Sequence, residues 1–293
     1  MSLWARARAG CAAREAAPRD VPAILEFLDR RPAENVFLSY LLRRDGAETF
    51  GGRALWHLAE RDGEPVGACL SAANVVPAVA DEDAARTLAA RIGRIRPGAQ
   101  SLVGERAAVN ALWEVLARRS PRPRLVREEQ PFYVLGRGDL ARAAAPARVS
   151  LRRAGAADLD PLVEACAAML REEILDDPHA RDPAGFRAGV WRMIAEGAIF
   201  VGEGRDGLLF KAHANVRTPL AVQISGVYTM PGQRRRGHAR ACLRALAALL
   251  LEENPTLCLY VNGENRAAIR TYEAVGFRRT GTFKTIFFAG AGT

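Results

Sequence analysis

The chain has 293 residues, 49% hydrophobic and 26% charged, with a formal charge of +9. This is an ordinary globular composition, long enough for one large or two ordinary domains. No run of about 18 apolar residues occurs, so no helical membrane span is expected.

The segment from Met1 to Ala17 carries arginines but no apolar core, so a secretory signal is not expected. The five cysteines (Cys11, Cys69, Cys166, Cys242 and Cys258) are scattered and show no metal-ligand spacing. A reducing cytoplasm and no metal are the expectation. The positive balance comes from 42 Lys+Arg against 33 Asp+Glu, with Lys211 and Lys284 the only lysines. Such a charge favours acidic partners, either nucleic acid or a nucleotide cofactor. No nucleic-acid motif accompanies it, so a cofactor is expected and nucleic acid is not.

In chain order, apolar residues at Val21, Ile24, Leu25, Phe27 and Leu28 predict a helix from Asp20. Pro32 interrupts it, and a second helix follows over 33–42. Two strands, 54–60 and 65–72, flank Asp62-Gly63, a hairpin signal. A helix over 81–92, a short strand over 101–103 and a helix over 107–118 come next. Strands over 125–127 and 132–135 close the first half. Residues 138–148 are rich in Ala, Arg and Gly, contain Pro146, and read as a linker between domains 1–137 and 149–293.

The second half begins with a strand over 149–153 and a helix from the cap Asp158 to Ile174. A second helix spans 186–196. A hairpin (198–203, 208–216) turns at Arg205-Asp206-Gly207. A strand over 221–229, a helix over 240–253, a strand over 256–261, a helix over 266–275 and a strand over 277–288 with a break near Gly281 complete it. Both halves share the order of two helices, a hairpin, a helix, a short strand, a helix and closing strands. Gly104-Glu105-Arg106-Ala107-Ala108 also echoes Gly263-Glu264-Asn265-Arg266-Ala267-Ala268. A duplicated fold is therefore expected.

Between strand 221–229 and helix 240–253 lies Gln233-Arg234-Arg235-Arg236-Gly237-His238-Ala239. The first amides of a helix have no internal partner, and the helix dipole adds positive potential there. A Gly-containing basic turn at that point suits a phosphate. The matching place in the first half reads Pro77-Ala78-Val79-Ala80-Asp81-Glu82-Asp83, whose carboxylates would repel a pyrophosphate.

Gly226-Val227-Tyr228-Thr229-Met230-Pro231 followed by Arg234-x-x-Gly237-x-Ala239 resembles the acyl-CoA signature of the Gcn5-related N-acetyltransferase (GNAT) superfamily. Downstream, Asn265-x-x-Ala268-x-x-x-Tyr272-Glu273-x-x-Gly276-Phe277 resembles that family's second motif. The match covers about residues 149–288. The whole layout resembles a bacterial two-domain subgroup with a degenerate N-terminal domain. The resemblance implies an α/β (α+β) fold of tandem domains. Each would be a mixed, mostly antiparallel twisted sheet flanked by helices, with the C-terminal half intact.

It also implies acetyl-CoA as co-substrate. The loop Arg234, Arg235, Arg236, Gly237, His238 and Ala239 would take its pyrophosphate. Backbone groups of Val227, Tyr228 and Thr229 would meet the pantetheine arm and thioester, and Asn265 and Ala268 lie in the second motif, with Asn265 on the arm. Tyr272 matches the tyrosine that protonates the leaving thiolate. The general base stays open among Glu172, Glu173 and His213. Gln223 stands where many relatives acting on proteins carry a carboxylate, and glutamine cannot be a base.

The expected activity is direct transfer of an acetyl group to a primary amine. The acceptor is a small molecule or peptide, and the N-terminal half shapes the acceptor site or a homodimer interface. A non-catalytic acyl-CoA-binding module is the alternative. Asp176-Asp177-Pro178-His179 reads as an Asp-Pro turn rather than a metal site.

Overall fold

A computed structural model of the chain describes residues 10–48, 54–140, 150–204 and 207–288. The turn residues Arg205 and Asp206 and most of the 138–148 linker lie outside them. The chain forms two compact units, Met1–Pro131 with Gly281–Thr293, and Phe132–Thr280.

The first unit opens with β1 (Ala12–Glu15), α1 (Val21–Asp29) and α2 (Val36–Asp45). The hairpin β2 (Leu55–Arg61) and β3 (Glu64–Ser71) follows, turning on left-handed Asp62 and Gly63. Then come β4 (Asn74–Val79), α3 (Glu82–Ile92), β5 (Ser101–Glu105) and α4 (Arg106–Leu116). The strand β6 (Pro123–Gly136) closes it. The sheet runs β1-β2-β3-β4-β5, and the chain's last strand adds beside β5 through the pairs Phe283–Glu105 to Phe287–Ser101. One face packs Trp56, Leu58, Ala68 and Leu70 under α1 and α2. The other packs Ala59, Cys69 and Leu102 under α3 and α4.

The second unit contains β7 (Ser150–Arg153), α5 (Leu159–Ile174), the short α6 (Pro178–Arg181) and α7 (Pro183–Ala195). The antiparallel strands β8 (Ile199–Gly204), β9 (Gly207–Arg217) and β10 (Val222–Thr229) follow. Next are α8 (His238–Glu253), β11 (Thr256–Tyr260), α9 (Arg266–Val275) and β12 (Arg278–Phe288). Sheet order is β6-β11-β10-β9-β8-β7, with β6 entering through Phe132–Gly136. Leucines 243, 246, 250 and 251 of α8 close one face over Phe200, Phe210 and Leu257. Each such side chain contributes roughly 1.5–3 kcal/mol by burial.

These units differ from the sequence domains 1–137 and 149–293 at both ends. A strand of 14 residues such as β6 extends about 46 Å at ~3.3 Å per residue, more than one small sheet needs. Its first part stays in the first unit and its last part pairs with β11 in the second. The strand β12 is likewise divided at Gly281. The break expected there is therefore a change of unit inside one continuous strand. The two strands read at 125–127 and 132–135 are one.

A repeated ion network marks the duplication. In the first unit Arg14 on β1 donates to both oxygens of Asp20 (2.6 and 2.9 Å) and to Glu60 on β2. In the second, Arg152 on β7 donates to both oxygens of Asp158 (2.7 and 2.9 Å) and to Glu203 on β8. Asp158 stands at the N-cap position of α5, as read, and its carboxylate accepts from the Gly155 amide, as that of Asp20 does from Ala17.

Candidate active site

The basic turn has the geometry of an anion cradle. After β10 the chain makes a short 3-10 turn (Pro231–Gln233) and enters α8 through Gly237. Arg235 and Gly237 are both left-handed, with φ of 62° and 81°. For Arg235 this costs on the order of 1 kcal/mol, held by the turn around it. The first bond inside α8 runs from the Ala241 amide to the Gly237 carbonyl at 3.1 Å. The amides of His238, Ala239 and Arg240 therefore have no helix carbonyl to reach. A Cβ added at Gly237 would meet nothing within 4 Å, so the space in front of these amides is open. Among the described residues the buried Nδ1 of His238 has no partner.

The arginine run divides. Arg235 and Arg236 are exposed beside the cradle, with Arg236 Nη1 3.3 Å from Gln233 Oε1. Arg234, expected on the phosphate, turns away. Its guanidinium bonds the Thr229 carbonyl (3.1 Å) and the Glu172 carboxylate (2.8 Å), and lies 5.1 Å from the centre of the Tyr228 ring. A carboxylate at the end of α5 offers it a fixed partner, which the open loop does not.

Beside the cradle the sheet opens. The parallel strands β10 and β11 pair only at Val222–Leu257 and Gln223–Cys258. On its other edge β10 carries a bulge: Ser225 faces His213 and Tyr228 faces Lys211, so three steps of β10 match two of β9. Gly226 occupies the bulge at φ 56°. Val227, Tyr228 and Thr229 carry the strand past the opening to the turn. Across the gap, Asn265 caps α9, its Oδ1 accepting from the Ala268 amide at 3.1 Å.

Tyr272 follows two turns into α9, packed between Tyr133 and Phe277 with ring centroids at 6.3 and 6.1 Å. Burial, with the charge of Glu173, pushes its phenol well above the usual range, so it stays protonated. Its hydroxyl makes no hydrogen bond among the described residues, which leaves it a free proton donor.

The three candidate bases separate. Glu172 is occupied, accepting from Tyr228 Oη at 2.7 Å as well as from Arg234. Burial raises its carboxyl, but these two bonds outweigh that and hold it below the usual range. His213, a candidate base, is buried against the Gly226 bulge. Its Nε2 lies 3.3 Å from Lys211 Nζ and 3.9 Å from Cys166 Sγ. Burial and the Lys211 charge push it far below the ordinary imidazole value, so it is a weak base. Glu173 is exposed, and its charge acts on both Tyr272 and Lys211. Lys211 was not singled out from sequence. A lysine in an apolar strand run was the available signal.

The first unit has the same opening and has filled it. Its parallel strands β4 and β5 also pair only at Asn74–Ser101 and Val75–Leu102. There Pro77 packs on Gly104, whose added Cβ would lie 3.3 Å from the Pro77 carbonyl oxygen. Asp81 caps α3 through the Ala84 amide at 2.9 Å, and Arg61 pairs with Asp81 and Asp83. The helix start that would hold a phosphate already holds a carboxylate.

This arrangement, a bulged strand splayed from its parallel neighbour ahead of an amide-rich helix start, occurs in a duplicated mixed sheet. That is the tandem form of the Gcn5-related N-acetyltransferase fold. A Drosophila protein of known structure superposes with a TM-score of 0.68 at 15% identity, covering 96% of this chain and 99% of that one. A GCN5-related N-acetyltransferase from Sphaerobacter thermophilus gives 0.56 at 17% identity (97% and 98%). A tandem GNAT protein from the clavulanic acid biosynthesis pathway gives 0.52 at 16% (97% and 99%). Residues 205–287 match the family described as FR47-like protein, and residues 53–162 match a domain of unknown function, DUF4081. No curated protein matches by sequence. The chain has the fold of tandem, two-domain GNAT proteins. Among the described residues no helix is long and apolar enough to cross a membrane.

Proposed function

We propose that the second unit is an acetyl-CoA-dependent N-acetyltransferase acting on a primary amine by direct attack. The observation that carries this is the opening between β10 and β11, which ends at the unpartnered amides of α8. The residues present fit the co-substrate. Free amides at His238, Ala239 and Arg240, the open front of Gly237 and the orphaned His238 Nδ1 suit a pyrophosphate. Exposed Arg235 and Arg236 add charge. The unpaired edge of β10 from Ile224 to Thr229 suits a pantetheine arm lying along it, with Asn265 and Ala268 opposite.

Acetyl-CoA supplies the activated acyl group. The chain's own residues then have distinct work. A Val227 amide directed into the gap donates to the thioester oxygen as negative charge develops there. Tyr272 holds the proton for the departing thiolate. We assign Glu173, whose charge acts on both Tyr272 and Lys211, as the group that takes the proton from the amine, directly or through water. Arg234 and Glu172 tie the loop to the end of α5 rather than touching the reacting atoms.

Calorimetric titration with acetyl-CoA and a thiol-release screen over amino acids, polyamines, aminoglycosides and peptides test this. Binding followed by amine-dependent release, lost in Tyr272→Phe, is expected. Binding without release from any amine class would return the non-catalytic module, and no binding would remove both.

A further inference from the structure

Lys211 is wholly buried. Its Nζ donates to the Gly226 carbonyl at 3.0 Å and to Met169 Sδ at 3.4 Å, and lies 3.3 Å from His213 Nε2. No carboxylate forms an ion pair with it among the described residues. An amine buried without a counter-ion is expensive, and desolvation pushes its pKa below the ordinary lysine value.

The partner that matters is the Gly226 carbonyl. It belongs to the peptide that also carries the Val227 N–H. All described peptide bonds are trans, so the C=O and N–H of this peptide point in opposite directions. Lys211 stands on β9, and β9 and β11 flank β10 on opposite sides. A Gly226 carbonyl held toward Lys211 therefore turns the Val227 N–H toward the side where β10 has parted from β11.

His213 acts on the same peptide from below. A Cβ on Gly226 would lie 2.5 Å from His213 Nδ1. The imidazole thus fills the space under the bulge while Lys211 fixes its carbonyl. Two side chains of one strand lock one peptide plane of the next.

We propose that Lys211 is a positioning residue for acyl transfer, holding the Gly226–Val227 peptide so that its N–H meets the thioester oxygen in the β10–β11 opening. This rests on the acetyltransferase reading above. Lys211 itself does not touch the reacting atoms.

The test uses the full-length chain, acetyl-CoA labelled with carbon-13 at the thioester carbonyl, and the variants Lys211→Met and Lys211→Gln. Methionine removes the donor at similar volume, and glutamine returns one on a shorter arm. In the wild type the infrared band of the bound carbonyl should shift to lower frequency than in free acetyl-CoA. In Lys211→Met that shift should disappear while calorimetric affinity stays within about threefold, with Lys211→Gln between the two. With an active amine, kcat should fall about 100-fold, in the range for a lost oxyanion donor, and KM for acetyl-CoA should stay nearly constant.

An unchanged band and kcat in Lys211→Met would overturn the assignment while leaving the acetyltransferase reading intact. So would a loss confined to affinity, which marks a structural role. If Lys211→Met does not fold, Lys211→Gln carries the same two outcomes. A wild-type chain that binds no acetyl-CoA removes the acetyltransferase reading and this inference with it.

Discussion

Replacing Gly226 by alanine tests the bulge without any ligand. The new Cβ would lie 2.5, 2.7 and 2.9 Å from three ring atoms of His213, all closer than carbon tolerates. The residue sits at φ 56°, where an L side chain costs roughly 1–2 kcal/mol. Displacing a packed ring adds about 1–3 kcal/mol. Gly226→Ala should therefore destabilise by about 2–5 kcal/mol, lowering Tm by roughly 4–20 °C at ~2–4 °C per kcal/mol. Denaturant titration of Gly226→Ala, His213→Ala and the double variant separates the two terms. Removing the ring relieves the clash but not the backbone strain, so the double variant should recover about 1–3 kcal/mol relative to additivity. A Tm within a degree of wild type, or strict additivity, would refute this account of the bulge.

Other outcomes follow from the same geometry. Gly237→Asp places a carboxylate before the α8 amides and should weaken acetyl-CoA binding at least tenfold by calorimetry, whereas Arg234→Gln, whose side chain faces Glu172, should weaken it far less. Titration should show a single acetyl-CoA per chain, because Pro77 and Asp81 occupy the corresponding places in the first unit; two equivalent sites would contradict that. The Arg14 guanidinium, aided by the Ala17 amide, pushes Asp20 down to about 2. A depressed carboxyl stabilises the fold above its unfolded value near ~4. That support is lost as pH falls toward about 2, so Tm should drop across this window in wild type and less in Asp20→Asn. Equal slopes in both would exclude the network as its source.

What could be read from sequence follows a physical divide. Local signals were legible. The helix over 266–275 was placed to the residue, and the cradle was visible because Gly237 interrupts an arginine run just where apolar periodicity begins. Features that depend on distant pairing were not. The strand β1 is Ala-Ala-Arg-Glu, poor in strand formers, and exists because Ala12–Glu15 pairs with His57–Glu60. The strand β4 contains Pro77, a residue that disfavours strands, and forms through its pairing with β3 and β5. The division of β6 and β12 between units leaves no local mark. Within the site, position in the motif did not reveal which way Arg234 points, because Glu172 lies 62 residues away. Gly226 and Lys211 likewise meet only through a sheet register. One missed signal was available: Arg14 and Asp20 have the same spacing as Arg152 and Asp158, a stronger mark of duplication than the Gly-Glu echo.

Both lysines of this chain are interior. Lys211 is sealed behind the bulge, and Lys284 is 7% exposed and held by Glu128 and Asn110. Every other basic side chain apart from histidine is an arginine, whose guanidinium remains protonated and resists acylation. If the chain handles an activated thioester as proposed, it offers that thioester no surface side-chain amine of its own. On that reading the folded protein would be a poor target for the acyl transfer it carries out. Amine-directed labelling of its lysines would then report unfolding rather than surface accessibility.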